Sequence, residues 1–424
     1  MKLIHKIKRF SSNAFIRNVT TLSFGAVISQ ALVVLASPLL ARIYTVEAFG
    51  ALSIFTSYAA LLAIFATGRY EFAIVIPDKE EKAIQLVRLI ISIALFISLF
   101  YFVIIWILKE FFPNIGPTNF IHTDFIYWIP LYILFIATTT AFGYLLLRRK
   151  KYKLYSIATA TQAITVVVVS ITLGLFNVKN GLIIALVSGS AVFILLFFVK
   201  ETTTTVKGLM LSGNMSKVAK EYRSFPQYRT FSDLALTASQ QFAPILLSML
   251  YSTTIVGFYT MANRMLRLPN IIVTNAIASV FRNEAIEEFK LKGECRNLYL
   301  GTFKKLLWLA LPTYLILFIC SPPLFQFFFG EQWLTAGHYA QIIITFLFFE
   351  FLANPFNELF TLRNKQRRYM IIQVLNVSLG ATMMILGMFF FKDASWSLIL
   401  FSANSIVFNL ILLINSFRIA NNSQ

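Results

Sequence analysis

The sequence predicts an all-α polytopic membrane protein, with twelve transmembrane helices arranged as two six-helix lobes. Three observations predict it. Of the 424 residues, 58% are hydrophobic and 13% charged, the latter about half the share of an average soluble domain, and mean hydropathy is +0.73. Twelve apolar runs follow one another along the chain, most of them the roughly 20 residues a helix needs to cross about 30 Å of hydrocarbon. The chain also matches itself at a nearly constant offset, which divides the runs six and six.

In order, the runs occupy residues 19–41, 49–76, 83–108, 125–147, 154–176, 181–199, 229–251, 255–281, 301–328, 338–362, 369–391 and 396–417. Ahead of them, MKLIHKIKRFSSNAFIR is a basic arm with no small-residue cleavage site, expected to lie along the inner membrane surface. Thr45-Val46-Glu47 before FGALSIF reads as a helix N-cap with an acid in the first turn. Loops on one side of the membrane hold 30 Lys and Arg, those on the other only four: Arg42, Lys109, Lys179 and Lys392. That asymmetry places both termini in the cytoplasm. The net charge of +19 therefore collects in inner loops, so membrane lipids are expected partners and nucleic acid is not. The longest outer loop, 109–124, is too short to house a catalytic domain, which counts against a polymerase or ligase acting on a lipid carrier. Cys295 and Cys320 are too few for a disulfide framework or metal site, and no Walker A, HExxH or nucleophile-elbow motif occurs. No enzyme activity, cofactor or metal is expected.

The repeat rests on three matches. Pro38, Tyr44 and Gly50 stand opposite Pro244, Tyr251 and Gly257 at an offset of 206–207, and LRRKKY at 147–152 opposite LRNKQR at 362–367 at 215. SAVF at 190–193 matches SIVF at 405–408 at the same 215. The expected organisation is an amino-terminal six-helix lobe with its basic arm at 1–200, a cytoplasmic linker at 201–228 and a carboxyl-terminal lobe at 229–424.

Ionisable groups at membrane depth are costly and point to function. Arg69 and Glu71 interrupt the second run, where apolar sequence continues to Pro77; they are expected within the inner half of that helix. Residues at i and i+2 do not share a helix face, so at least one should point elsewhere, into a cavity. The eighth run carries Arg264 and Arg267 one turn apart, with Asn263 and Asn275 beside them. Guanidinium is the natural partner of a diphosphate or carboxylate; the alternative is structural pairing with Glu350 or Asp233. Asp233, Glu350, Glu358 and Asn376 are candidates for a cation or proton site in the second half.

Three stretches, RNVTTLSFGAVISQALVVLASPLLARIYTVEAFGALSIF, ATGRYEFAIVIPDKEEKA and GFYTMANRMLRLPNIIVTNAIASVF, resemble the polysaccharide and O-antigen (Wzx-type) flippases of the multidrug/oligosaccharidyl-lipid/polysaccharide (MOP) exporter superfamily. The resemblance spans both halves and implies a MATE-like, two-lobed fold. It implies a substrate of undecaprenyl diphosphate carrying an oligosaccharide repeat unit, an O-antigen or capsule precursor. It also implies alternating access across the bacterial cytoplasmic membrane, a cationic cavity between the lobes, and a polysaccharide polymerase and chain-length regulator as partners. On that footing Arg42, Arg69, Glu71, Asn263, Arg264 and Arg267 are the substrate-binding candidates. The rival within the superfamily is a drug or cation exporter, which is expected to present an acidic cavity; here the embedded charge of the first half is as basic as it is acidic.

Overall fold

The computed structural model describes residues 25, 29–111, 124–201 and 215–421. The basic arm, most of the first ten residues of the first run, most of the 109–124 loop and residues 202–214 of the expected linker lie outside the described residues. No strand occurs among the described residues. The chain forms two compact units: Met1–Ala48 with Ile54–Gln241, and Phe49–Ser53 with Phe242–Gln424.

The helices of unit 1 are α1 (Ser29–Ile43), α2 (Val46–Thr67), α3 (Glu80–Phe111), α4 (Trp128–Arg148), α5 (Tyr152–Leu175), α6 (Gly181–Lys200) and the short α7 (Met215–Glu221). The unit boundary falls inside α8 (Thr230–Leu250). Unit 2 continues with α9 (Thr253–Lys292), α10 (Arg296–Phe329), α11 (Leu334–Ala353), α12 (Glu358–Leu362), α13 (Gln366–Phe391) and α14 (Ala394–Asn421). Each apolar run thus contains helix among the described residues, without the runs and helices matching end to end, and only nine helical segments among the described residues are long and apolar enough to cross a membrane. The shortfall has a physical cause. α1 is short within the described residues, while α8 and α9 have the length but not the apolarity. α9, 40 residues long and so about 60 Å from end to end, carries Asn263, Arg264, Arg267 and Asn270 in its first half. Such a helix persists in lipid only where protein or water satisfies its polar side.

Local chemistry sets the helix ends. Thr45 caps α2 by accepting from the Ala48 amide, and at the corresponding place of the second half Ser252 caps α9 by accepting from the Ile255 amide. Pro355 breaks the apolar segment Glu331–Leu362 into α11, a 3-10 turn at Asn354–Asn357 and α12. This segment is the spine of unit 2, with 61% of its apolar window buried against 17% for α10 or α13. Around its break, Phe356 meets Phe281 edge-on at 5.0 Å and Tyr299 at 4.0 Å.

The repeat reappears in hydrogen bonds. Tyr44 donates to the Ser170 carbonyl of the α5–α6 hairpin, and Tyr251 to the Asp393 carbonyl at the α13–α14 turn. Left-handed backbone occurs at Asn177 and again at Lys392, matched positions of the two halves, and in both basic turns, at Lys150 and Asn364, one residue out of register. Arg148 donates to the carbonyls of Ile74 and Asp78; Arg363 lies over the Phe289 ring and donates to the Gly293 carbonyl. Ile74 and Phe289, Asp78 and Gly293, and Arg148 and Arg363 all stand at the offset that relates the two basic turns in the sequence.

Candidate functional site

In unit 1 the charges gather just past the end of α2. Contrary to the sequence expectation, Arg69 and Glu71 do not lie within a helix: α2 stops at Thr67 because Gly68 takes the left-handed conformation, φ 54°. Arg69 follows at φ 58°, a region that costs a residue with a side chain roughly 1 kcal/mol, and a 3-10 turn runs from Tyr70 to Ala73. This bend overrides the helical spacing rule. It brings Arg69 Nη1 to 3.1 Å from Glu71 Oε1, and the same guanidinium sits 3.0 Å from Asp233 Oδ2. Arg229, one turn before Asp233, closes on that oxygen at 3.5 Å and stacks on the Phe72 ring. Two arginines and two carboxylates alternate, and their formal charges cancel. Glu71 is buried, and its second oxygen has no hydrogen-bond partner among the described residues.

In unit 2, α9 positions its charges on two stripes. Arg267 donates to Glu350 Oε2 of α11 at 3.1 Å. Arg264 lies on the neighbouring stripe with the exposed Ile271 and Asn275, half-buried, and no acid or hydrogen-bond acceptor pairs with it among the described residues. Asn263 keeps its carbonyl oxygen buried without a partner there. Arg264 therefore carries the unmatched positive charge of this region.

The remaining candidates are dispersed. Arg42 is exposed at the end of α1. Glu358 meets Arg282 at 3.6 Å, and the Asn376 side chain accepts from Asn404 at 2.9 Å. Asp233 belongs to unit 1 and Glu350 to unit 2, so the four candidates for a cation site each have their own partner. Among the described residues no group of three metal-ligating side chains occurs. Two further residues do not stand out as site candidates in the sequence. Arg229 reads there only as a loop charge, although its i, i+4 spacing to Asp233 is a pairing signal. Arg88 in α3 holds a buried guanidinium nitrogen without a partner among the described residues; its signal is a lone charge inside LVRLII.

This fold is shared with membrane transporters of the MOP superfamily. An inward-facing MATE family multidrug transporter of that superfamily superposes with a TM-score of 0.67 at 14% identity, over 95% of this chain and 98% of its own. The lipid II flippase MurJ in an inward closed conformation gives 0.69 at 15%, over 95% and 90%. A MOP superfamily transporter from Pyrococcus furiosus, described as having a binding pocket of reversed polarity, gives 0.57 at 13%, over 95% and 94%. No curated protein sequence matches. A family model described as "Polysaccharide biosynthesis protein" matches residues 39–338, and the chain belongs to that family.

Proposed function

We propose that the protein is a flippase that moves an undecaprenyl-diphosphate-linked oligosaccharide repeat unit from the inner to the outer leaflet of the bacterial cytoplasmic membrane by alternating access, with both termini cytoplasmic. The observation that carries this reading is Arg264. It stands in the first half of a helix too polar to be an ordinary span, with no acid paired to it among the described residues, while its neighbour Arg267 is engaged by Glu350. A guanidinium in that position calls for an anion with oxygens in a plane, and a diphosphate supplies one. Membership of a polysaccharide biosynthesis family and a fold shared with a lipid II flippase favour a lipid-linked glycan over other anions. Export of cationic drugs fits less well, because Asp233, Glu350 and Glu358 are each paired with arginine. A polysaccharide polymerase and a chain-length regulator are the partners this reading implies.

The test is Arg264→Ala. Surface glycan should be lost while the protein remains in the membrane at its normal level, and Arg264→Lys should restore activity only in part, since an ammonium lacks the planar fork. Loss of protein with retained activity per molecule would make Arg264 a structural residue and overturn the reading.

A further inference from the structure

The internal repeat extends to α3 and α10. The buried residues Ala83, Ile90 and Ala94 of α3 stand opposite Tyr299, Leu306 and Ala310 of α10, also buried, at an offset of 216. In that register the two helices correspond face for face, and one of those faces is covered in unit 1 and bare in unit 2.

The covered face lies at the start of α3. Lys82 donates to both Glu221 carboxylate oxygens, at 2.8 and 2.9 Å, and Ser92 lies 3.9 Å from the Met215 sulfur. The short helix α7 therefore runs antiparallel to α3 past the level of Gln85 and Arg88, with its Val218 buried. It brings an acid and an apolar side chain against that face. In unit 2 the counterparts of Gln85, Arg88 and Ser92 are Gly301, Lys304 and Trp308. No described residue covers them: Lys304 and Lys305 are exposed, and Trp308 is 83% exposed.

The bare face has the chemistry of a headgroup site. α10 contains no acid, and neither lysine meets a carboxylate among the described residues, which include every Asp and Glu of the chain. Arg296, also exposed, adds a third positive charge two turns before Lys304. Gly301 leaves a gap beside the lysines, since a Cβ there would meet nothing within 4 Å. Elsewhere a helix glycine marks a close approach, as Gly337 does at Pro322 and Gly387 at Ser397. No packing contact asks for glycine at 301, although only proline is a poorer helix former. Further along the helix Trp308, Leu311, Leu315 and Ile319 form one exposed apolar stripe, a track for an acyl chain. The lysines stand just before the apolar stretch of α10, where headgroups lie, and the indole is an interfacial side chain. Three cations with no acid beside them match a headgroup of net negative charge and repel the ammonium of a zwitterionic one.

We propose that this face of α10 docks one acidic phospholipid, its phosphate held by Lys304 and Lys305 beside Gly301 and its acyl chain laid along Trp308 and Leu311. The lipid supplies to unit 2 the negative charge and apolar cover that α7 supplies to unit 1.

Native mass spectrometry of the full chain, released from micelles of a neutral detergent, reads the site, with phosphatidylglycerol and phosphatidylcholine of matched chains as probes. The first phosphatidylglycerol should bind roughly tenfold or more tighter than phosphatidylcholine, and Lys304→Gln with Lys305→Gln should erase that preference. Arg367→Gln with Arg368→Gln removes the same charge from another exposed basic segment and should keep it. Gly301→Leu fills the gap with every charge in place, and should weaken the first phosphatidylglycerol to about the level of phosphatidylcholine. Equal loss in the two double variants would mean attraction to net charge alone and overturn the site, as would undiminished binding to Gly301→Leu. A dimer of the chain held together by the two lysines, or a preference for farnesyl diphosphate over phosphatidylglycerol, would give the face to another occupant and overturn the proposal.

Discussion

Replacing Glu350 by Gln should act on stability and on anion binding in opposite directions. The carboxylate accepts from Arg267 at 3.1 Å, and the two side chains are 20% and 38% exposed. Breaking a fully buried pair costs about 3–5 kcal/mol, and an exposed pair contributes about 0–1 kcal/mol; partial exposure puts this one at about 2 kcal/mol. A double-mutant cycle of Glu350→Gln and Arg267→Gln, read by thermal unfolding in detergent, should return a coupling of that size. Binding should move the other way. Freed of its partner, Arg267 presents a second guanidinium one turn from Arg264. At roughly 8 Å and an effective dielectric constant of about 20, one added charge is worth about 2 kcal/mol towards a monoanion, or roughly 30-fold in Kd. Calorimetric titration with farnesyl diphosphate should therefore show tighter binding to Glu350→Gln than to the wild type. Unchanged or weaker binding would refute the assignment of these arginines to an anion site, and a coupling indistinguishable from zero would refute the pairing itself.

Further expectations concern packing and the basic turns. A Cβ on Gly387 would lie 2.5 Å from the Ser397 Cα, whereas one on Gly301 meets nothing within 4 Å; Gly387→Ala should lower the unfolding temperature, and Gly301→Ala should raise it by the roughly 1 kcal/mol of helix propensity. The fully buried Glu201 side chain pairs with Arg149 and Lys151, so Glu201→Gln should cost about 3 kcal/mol, measurable by chemical unfolding and little changed by salt. Burial pushes the Cys295 thiol up to about 12. With the thiolate scarce below that pH, maleimide should not capture Cys295 at pH 8 unless the protein is unfolded.

The helices were legible because hydropathy reports them directly, and the start of α2 because Thr45 is an ordinary cap. The bend that assembles the first charge cluster was less so. Its signal was Gly68, a left-handed stop, but the apolar FAIVIP that follows disguised it as the middle of a span. Asp233 illustrates a deeper limit. Sequence placed it in the second half, among acids that would share a cation; in the structure it closes on Arg69 of unit 1. A pairing between positions so far apart along the chain leaves no trace in local spacing. The opposite fate of Arg264 and Arg267, one half-buried without a partner among the described residues and one held, likewise depends on which stripe of α9 turns towards α11, and hydropathy does not encode that rotation.

The paired arginine anchors, Arg148 on Asp78 and Arg363 on Gly293, have a consequence for how such duplicated architectures hide. Each guanidinium recognises a main-chain oxygen, and every residue type supplies that oxygen. An aspartate and a glycine therefore fill corresponding places equally well, and the identity of the acceptor is free to drift while the geometry stays fixed. Only the donor must remain. Two halves can thus diverge until alignment no longer finds them, and still be tied by the same knots at the same places along the chain. What is inherited at such a point is a direction in the backbone, written in the amino-acid sequence at one of its two ends.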